Sequence, residues 1–227
     1  MNAPSRSWLT GNQLKIIAMA AMTIDHIGAQ LLPQYLILRI IGRLAMPIYA
    51  YMIAEGCRYT RSRGRYLGRL AGLAALCQLV YFFAMDSLYM CILVTFSLSV
   101  ALIWALEWGE EKNRPLVPLA LAAGIYAVCQ LLPRWVPGFY VDYGFFGVLL
   151  PVAAYFGKTG PARLFLLGAG LVLLASDCGG VQWYSLAAIP LLALYNGQRG
   201  KASIGPLFYW YYPAHLVAIH LIGLLLR

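Results

Sequence analysis

The chain has 227 residues, of which 62% are hydrophobic and only 11% charged, with a mean hydropathy of +0.72. Soluble domains are about half apolar and about a quarter charged. The composition therefore excludes an ordinary soluble enzyme and predicts an all-α, polytopic transmembrane helical bundle, with residues 1–227 forming a single integral membrane domain. A net charge of +9 would suggest nucleic acid in a soluble protein. Here its distribution follows membrane topology, so the expected partner is the lipid bilayer and not a nucleic acid.

The chain opens with MNAPSRSWLTGNQ, a short polar stretch with one arginine. Its basic and apolar parts faintly resemble a signal peptide, but the apolar run continues to Leu32, which predicts an uncleaved first helix. That segment, Leu14–Leu32, is long enough to cross a bilayer, which takes ~20 apolar residues. It nevertheless carries Lys15 at its start and Asp25-His26 well inside. Lys15 and His26 are eleven residues apart, about three turns, which puts them on nearly one face roughly 16 Å apart. Ionisable groups at membrane depth are costly and mark functional sites or buried polar pairs.

Pro33-Gln34 is a turn signal. A second segment, Tyr35–Cys57, holds Arg39 and Arg43 near its start and Glu55 near its end. The densest charge run follows, RYTRSRGRYLGR, with Arg58, Arg61, Arg63, Arg65 and Arg69. Further apolar segments are Tyr66–Met85, Met90–Trp108, Leu116–Leu132, Val141–Gly157, Ala162–Ser176, Val181–Asn196 and Leu207–Leu226. That makes about nine spans. Gly68 and Gly72 form a small-xxx-small pair suited to helix packing.

Charge sets the expected orientation. With the arginine-rich loop in the cytoplasm, Arg6, Arg58, Arg61, Arg63, Arg65, Arg69, Lys112, Arg114, Lys158, Arg163, Arg199 and Lys201 share its side, leaving Arg134 and Arg227 opposite. The positive-inside rule thus predicts an odd number of spans, with the N-terminus cytoplasmic and the C-terminus outside.

Depth then groups the buried charges. His26, Arg39 and Arg43 all fall roughly 10 Å from the outer surface at ~1.5 Å per residue, on segments joined by a tight turn. Arg39 and Arg43 are four apart and share a helix face. Asp25, His26, Arg39 and Arg43 are therefore expected in one polar pocket, either a structural ion-pair network or a site. Asp142, in VDYGFFG, is a candidate for balancing the surplus positive charge, or an ordinary helix-start carboxylate. His215 lies near mid-membrane in the last segment, two residues after Pro213, and is expected to border one cavity with His26. Lys15 would mark the cytoplasmic mouth of that cavity. Tyr143 and Tyr212 are candidate substrate contacts, and His220 reads as structural.

Cys57, Cys77, Cys91, Cys129 and Cys178 are scattered and read as small apolar residues rather than a disulfide framework or metal site. His215 and His220 are about 140° apart around a helix, poorly placed to share a metal. No metal is expected. There is no phosphate-binding glycine loop and no nucleophile elbow.

The stretches LKIIAMAAMTIDHIGAQLLP, LRIIGRLAMPIYAYMIAEGCRYTRSRGRYLGRL, DYGFFGVLL, LLALYNGQRG and FYWYYPAHL together resemble the TraX family, from the first helix to the last. The combination of IDHIG, GRLAMPIYAY and YPAHL carries the likeness. It implies a multi-span protein of the bacterial inner (cytoplasmic) membrane, linked to N-terminal acetylation of pilin. Lys15-x10-His26 is also similar to the basic-x10-His pattern of membrane acyltransferases that acetylate sugars. The usual TraX pattern differs between the third and fourth helices, where this chain has CQLVYFFAMDSLYM and CILVTF. The acceptor need not be a pilin.

The resemblance implies acetyl transfer from cytoplasmic acetyl-CoA, as co-substrate, to an acceptor at the outer face: a pilin N-terminus or a sugar-type hydroxyl or amine. His26 would be the general base, since imidazole titrates near neutral pH, with Asp25 or another carboxylate orienting it and His215 as a further catalytic candidate. Lys15, Arg58, Arg61, Arg63 and Arg65 would hold the CoA phosphates. Arg43 and Arg39 would stabilise the oxyanion or bind an anionic acceptor. The alternative is a proton- or anion-coupled transporter using Asp25, His26, Arg43 and His215. A homo-oligomer is compatible with either.

Overall fold

Nearly every apolar segment becomes helix, because in lipid a backbone must satisfy its own hydrogen bonds. The computed structural model describes residues 8–201 and 205–226. Arg6 and Arg227, both used in the topology argument, lie outside them. The helices are α1 (Gly11–Gln30), α2 (Leu36–Gly42), α3 (Ala45–Tyr59), α4 (Arg63–Met85), α5 (Ile92–Glu111), α6 (Leu116–Tyr126), α7 (Gly144–Phe156), α8 (Gly160–Cys178), α9 (Ala188–Ala193) and α10 (Gly205–Leu225). Two short strands, β1 (Tyr89–Met90) and β2 (Tyr140–Val141), pair in parallel.

The nine apolar segments are all helical over much of their length, but not all are regular. Among the described residues, five helices are long and apolar enough to cross a membrane: Leu36–Tyr59, Arg63–Phe83, Ile92–Glu111, Leu116–Arg134 and Gly160–Cys178. The second segment breaks into α2 and α3. Its hydrogen bonds tighten there, from Arg43 N to the Ile40 carbonyl and from Leu44 N to that of Ile41. Pro47 lies just beyond, and a proline cannot donate to the carbonyl four residues back, here that of Arg43. The eighth segment is a 3-10 stretch, Gly180–Ala187, leading into the short α9. It starts from Gly179 and Gly180, both at positive φ. Segment five passes from α6 into a π-helical turn, Ala127–Leu131.

The described chain divides into two compact units, residues 1–52 with 159–227, and residues 53–158. In the first, α1 starts at a capping box between Thr10 and Gln13. Its next amides are taken by loop carbonyls, Gly11 N to Gln198 (2.8 Å) and Asn12 N to Arg199 (3.0 Å), so its orphan donors are satisfied. α1 then packs along α2 at very close range. A Cβ on Gly28 would sit 2.7 Å from Leu38 Cβ, and one on Gly42 would sit 2.2 Å from Asp25 Oδ1. Small residues that let helix backbones approach are the usual device in membranes. The expected pair does not serve this way: a Cβ at Gly68 or Gly72 meets nothing within 4 Å.

In the second unit α5 packs against α4, α6 and α7. Ser99 Oγ bridges the two middle helices, contacting the Thr95 carbonyl (2.9 Å) on α5 and the Val148 carbonyl (2.8 Å) on α7. Thr95 Oγ1 donates to the Asp142 carbonyl at 2.7 Å. Arg58, at the end of α3, donates to the carbonyls of Ala154 (2.9 Å), Tyr155 and Gly157 (3.2 Å), closing the C-terminus of α7. Phe83, Leu119, Phe165 and Leu173 point outward. Such apolar exposure marks an interaction surface, and on helices this apolar it is the lipid face of a membrane protein.

Candidate functional site

Two consecutive positions of α1 organise the polar centre of the first unit. Residues 25 and 26 are neighbours in a helix, so their side chains diverge by about 100°. Asp25 faces α2, while His26 faces α10. Asp25 Oδ2 takes Arg39 Nη1 at 2.7 Å and Oδ1 takes Arg43 Nη2 at 2.6 Å. Arg43 Nη1 also donates to Gln182 Oε1 at 3.1 Å. Gly42 makes this possible, because any side chain there would occupy the place of the Asp25 carboxylate. One carboxylate between two guanidiniums leaves that group of three with a surplus positive charge, at 9% exposure for the Arg43 side chain and 30% for Arg39.

On the other face, His26 Nδ1 meets His215 Nε2 at 2.8 Å, with the rings stacked and centroids 5.0 Å apart. His215 Nδ1 lies 2.8 Å from the Tyr211 carbonyl one turn back. The roles follow from chemistry. A carbonyl only accepts, so His215 Nδ1 carries the proton. A neutral His215 then accepts at Nε2, and His26 Nδ1 must donate. His26 Nε2 is left with its lone pair. Tyr211 stacks on His215 at 5.1 Å, and Tyr212 meets it edge-on at 5.5 Å. The Tyr211 hydroxyl contacts Thr23 Oγ1 at 2.5 Å, and Thr23 donates back to the Met19 carbonyl at 3.0 Å.

The structure thus brings together Asp25 with Arg39 and Arg43, and His26 with His215 and Tyr212. It corrects one expectation: both oxygens of Asp25 go to arginines, so the group that orients His26 is His215. Three partners were missed in the sequence. Gln182 stands in an apolar stretch read simply as a span, where a lone amide was the available signal. Tyr211 was one tyrosine in an aromatic run, and Thr23 had no pattern to mark it.

The remaining candidates belong to the second unit or to the start of α1. Asp142, expected to balance the arginines, belongs to the second unit, where the Tyr89 hydroxyl bonds it. Burial, with that carboxylate next in weight, pushes the Tyr89 hydroxyl far above the usual phenol range. Tyr143 sits beside it at φ 58°, in the left-handed region, at the start of α7. Of the expected CoA cations, Arg61 and Arg65 are exposed. Arg63 pairs with Glu107 at 2.8 Å, and Glu107 also accepts from the Tyr155 hydroxyl. Arg58 is not a solvent-facing cation, because its guanidinium closes α7. Lys15 is half-buried in the first unit, within repulsive reach of Arg199.

Comparison with known proteins supplies the context. The family model described as TraX protein matches residues 10–223. A probable fimbrial assembly protein, FimC of serogroup H1 from Dichelobacter nodosus, is 28% identical over 91% of this chain and 93% of its own length. An uncharacterised protein of Rickettsia prowazekii (strain Madrid E) is 58% identical over a shorter stretch, 17% of this chain and 15% of its own. No solved structure matches. With the family model covering nearly the whole chain, from the capping residue of α1 to the last turn of α10, the protein belongs to the TraX family.

Proposed function

We propose that this protein is an acyltransferase of the bacterial inner membrane. It moves an acetyl group from cytoplasmic acetyl-CoA to an amine or hydroxyl at the outer face. The observation that carries the reading is the His26–His215 contact. It fixes one tautomer of His26 and leaves Nε2 as a base whose other nitrogen is already held, the arrangement a general base requires.

The reaction balances on these groups. The lone pair of the acceptor bonds to the acetyl carbonyl carbon, and the carbonyl π pair moves onto oxygen. The acceptor's proton passes to His26 Nε2, and the resulting positive charge is shared with His215 across their hydrogen bond. The electron pair on oxygen then re-forms the carbonyl as the C–S bond breaks with its electrons on sulfur, which takes the proton from His26 and leaves as CoA, with the acetyl group now on the acceptor. Lys15 and Arg199 place like charges together at the start of α1, an arrangement that the polyanionic CoA phosphates relieve. The name of the Dichelobacter relative supports a fimbrial or pilin-type acceptor, with a sugar-type amine or hydroxyl as the other choice.

The same His–His contact would serve a proton path in a transporter. The two readings part on acetyl-CoA. Purified protein in lipid nanodiscs is expected to bind acetyl-CoA and release CoA thiol when a pilin N-terminal peptide or an amino sugar is added. Proton or anion flux in proteoliposomes, with no acetyl-CoA binding, would favour the transporter.

A further inference from the structure

The 3-10 stretch after α8 carries two buried polar groups that nothing among the described residues satisfies. Gln182 is 3% exposed and Ser185 0%. Gln182 Nε2 and Ser185 Oγ both lack a hydrogen-bond partner. Residues three apart on a 3-10 helix eclipse one another, so the two groups share a face. The amide has no rotational freedom left. Arg43 can only donate, so Gln182 Oε1 must face it and Nε2 must point the other way.

Ser185 is unusual among its kind in this protein. Thr23, Ser97, Ser99 and Ser176 all bond the carbonyl four residues back, the ordinary solution for a hydroxyl on a helix. Ser185 does not. A buried donor left unmade carries an uncompensated desolvation cost, and here two neighbouring donors carry that cost together. Gln182 joins the ion cluster through Arg43, whose other partner, Asp25, is the residue before His26, and Ser185 lies one 3-10 turn after Gln182.

Resting on the acyl-transfer reading, we propose that Gln182 and Ser185 form the binding site for the acyl carbonyl oxygen. The Gln182 N–H and Ser185 O–H donate to it as it takes up negative charge, and Arg43 acts as a positioning residue. The guanidinium polarises the amide through Oε1, which makes its N–H groups stronger donors. Donors fixed before the reaction, where charge develops, are the most effective form of such stabilisation. This assignment replaces Arg43 as the oxyanion donor, because its guanidinium already serves Asp25 and Gln182.

Gln182→Glu separates the two roles of this side chain. A carboxylate still accepts from Arg43, so the structural contact is kept, but the N–H donors are gone. Ser185→Ala removes only a hydroxyl that holds nothing in the fold. In nanodiscs, the affinities of acetyl-CoA and CoA are measured by calorimetry for wild type and both variants, together with CoA-thiol release. The wild type is expected to prefer acetyl-CoA by about tenfold, the scale of a buried hydrogen bond. Both variants should lose that preference and turn over at least tenfold more slowly, while CoA affinity stays unchanged. If both variants keep the wild-type preference and rate, the carbonyl site is overturned and the acyl-transfer reading stands. If wild type binds neither compound, the acyl-transfer reading itself fails and this inference falls with it.

Discussion

At the scale of single residues, the division of labour on α1 is decided by the helical turn between Asp25 and His26. One side chain goes to the arginines and the next to the histidine. His26→Ala is expected to cut acetyl transfer by about 10²–10⁴-fold, the usual worth of a general base, with the protein still folded and in the membrane. His215→Ala should cost less, since it leaves the base and removes only its orienter. Asp25→Asn is expected to act on stability instead. It removes the carboxylate charge that pairs with both Arg39 and the nearly buried Arg43, and breaking such a pair costs about 3–5 kcal/mol. Thermal unfolding in detergent checks it, and an Asp25→Asn protein as stable as wild type would show that the cluster is not held by this carboxylate.

Much of this cluster was legible in the sequence, because depth along an apolar segment and a two-residue turn are enough to bring 25, 26, 39 and 43 together. What stayed hidden depended on rotation about the helix axis and on distant pairing. That Asp25 serves the arginines rather than His26 follows from which neighbour lies on each face of α1. Gln182 could be found only once its stretch was seen to pack against α2. Arg58 looked like one charge among five, and only the end of α7, nearly a hundred residues on, shows its purpose.

At the scale of elements, two close approaches hold the design. α1 and α2 meet through Gly28 and Gly42, and α7 ends on Arg58. Gly42→Ala places a methyl where the Asp25 carboxylate lies. It is expected to push α1 from α2 and to lower activity along with stability, whereas Gly68→Ala, with open space around it, should be near neutral. Arg58→Ala should destabilise the protein by about 1–3 kcal/mol through the carbonyls it leaves. Its effect should change little with salt. Arg61→Ala with Arg65→Ala should behave in the opposite way: stability unchanged, CoA affinity weakened at low salt and less so at high salt, because exposed charges are screened over about 8–10 Å. Denaturation and calorimetry at two ionic strengths separate these cases. Unchanged CoA affinity in the double variant at low salt would move the donor site away from this loop.

At the scale of the whole molecule, the alternation of spans can be tested within each unit. In the first, the start of α1 sits with residues 194–199, two stretches that the charge bias places in the cytoplasm. In the second, Arg58 and Arg63 meet Tyr155 and Glu107, again stretches assigned to the inner side. β1 pairs with β2, both from loops assigned outside. A nine-span arrangement with a cytoplasmic N-terminus places Cys178 at the outer end of α8. It is exposed, while Cys57, Cys77, Cys91 and Cys129 are buried. A membrane-impermeant maleimide added to intact cells is expected to label Cys178, and the Cys178→Ser protein should remain unlabelled. Labelling of Cys178 only after the membrane is opened would invert the topology.

The central claim joins these scales: acetyl-CoA is used from the cytoplasmic side and His26 moves the proton. It is tested most directly in inverted inner-membrane vesicles given acetyl-CoA labelled in its acetyl group. Wild-type protein should transfer label to an acceptor enclosed in the vesicle lumen, and His26→Ala should reduce that transfer by about 10²–10⁴-fold at equal protein level. Transfer by the His26→Ala protein within a few-fold of wild type, or no transfer by either, would contradict the account.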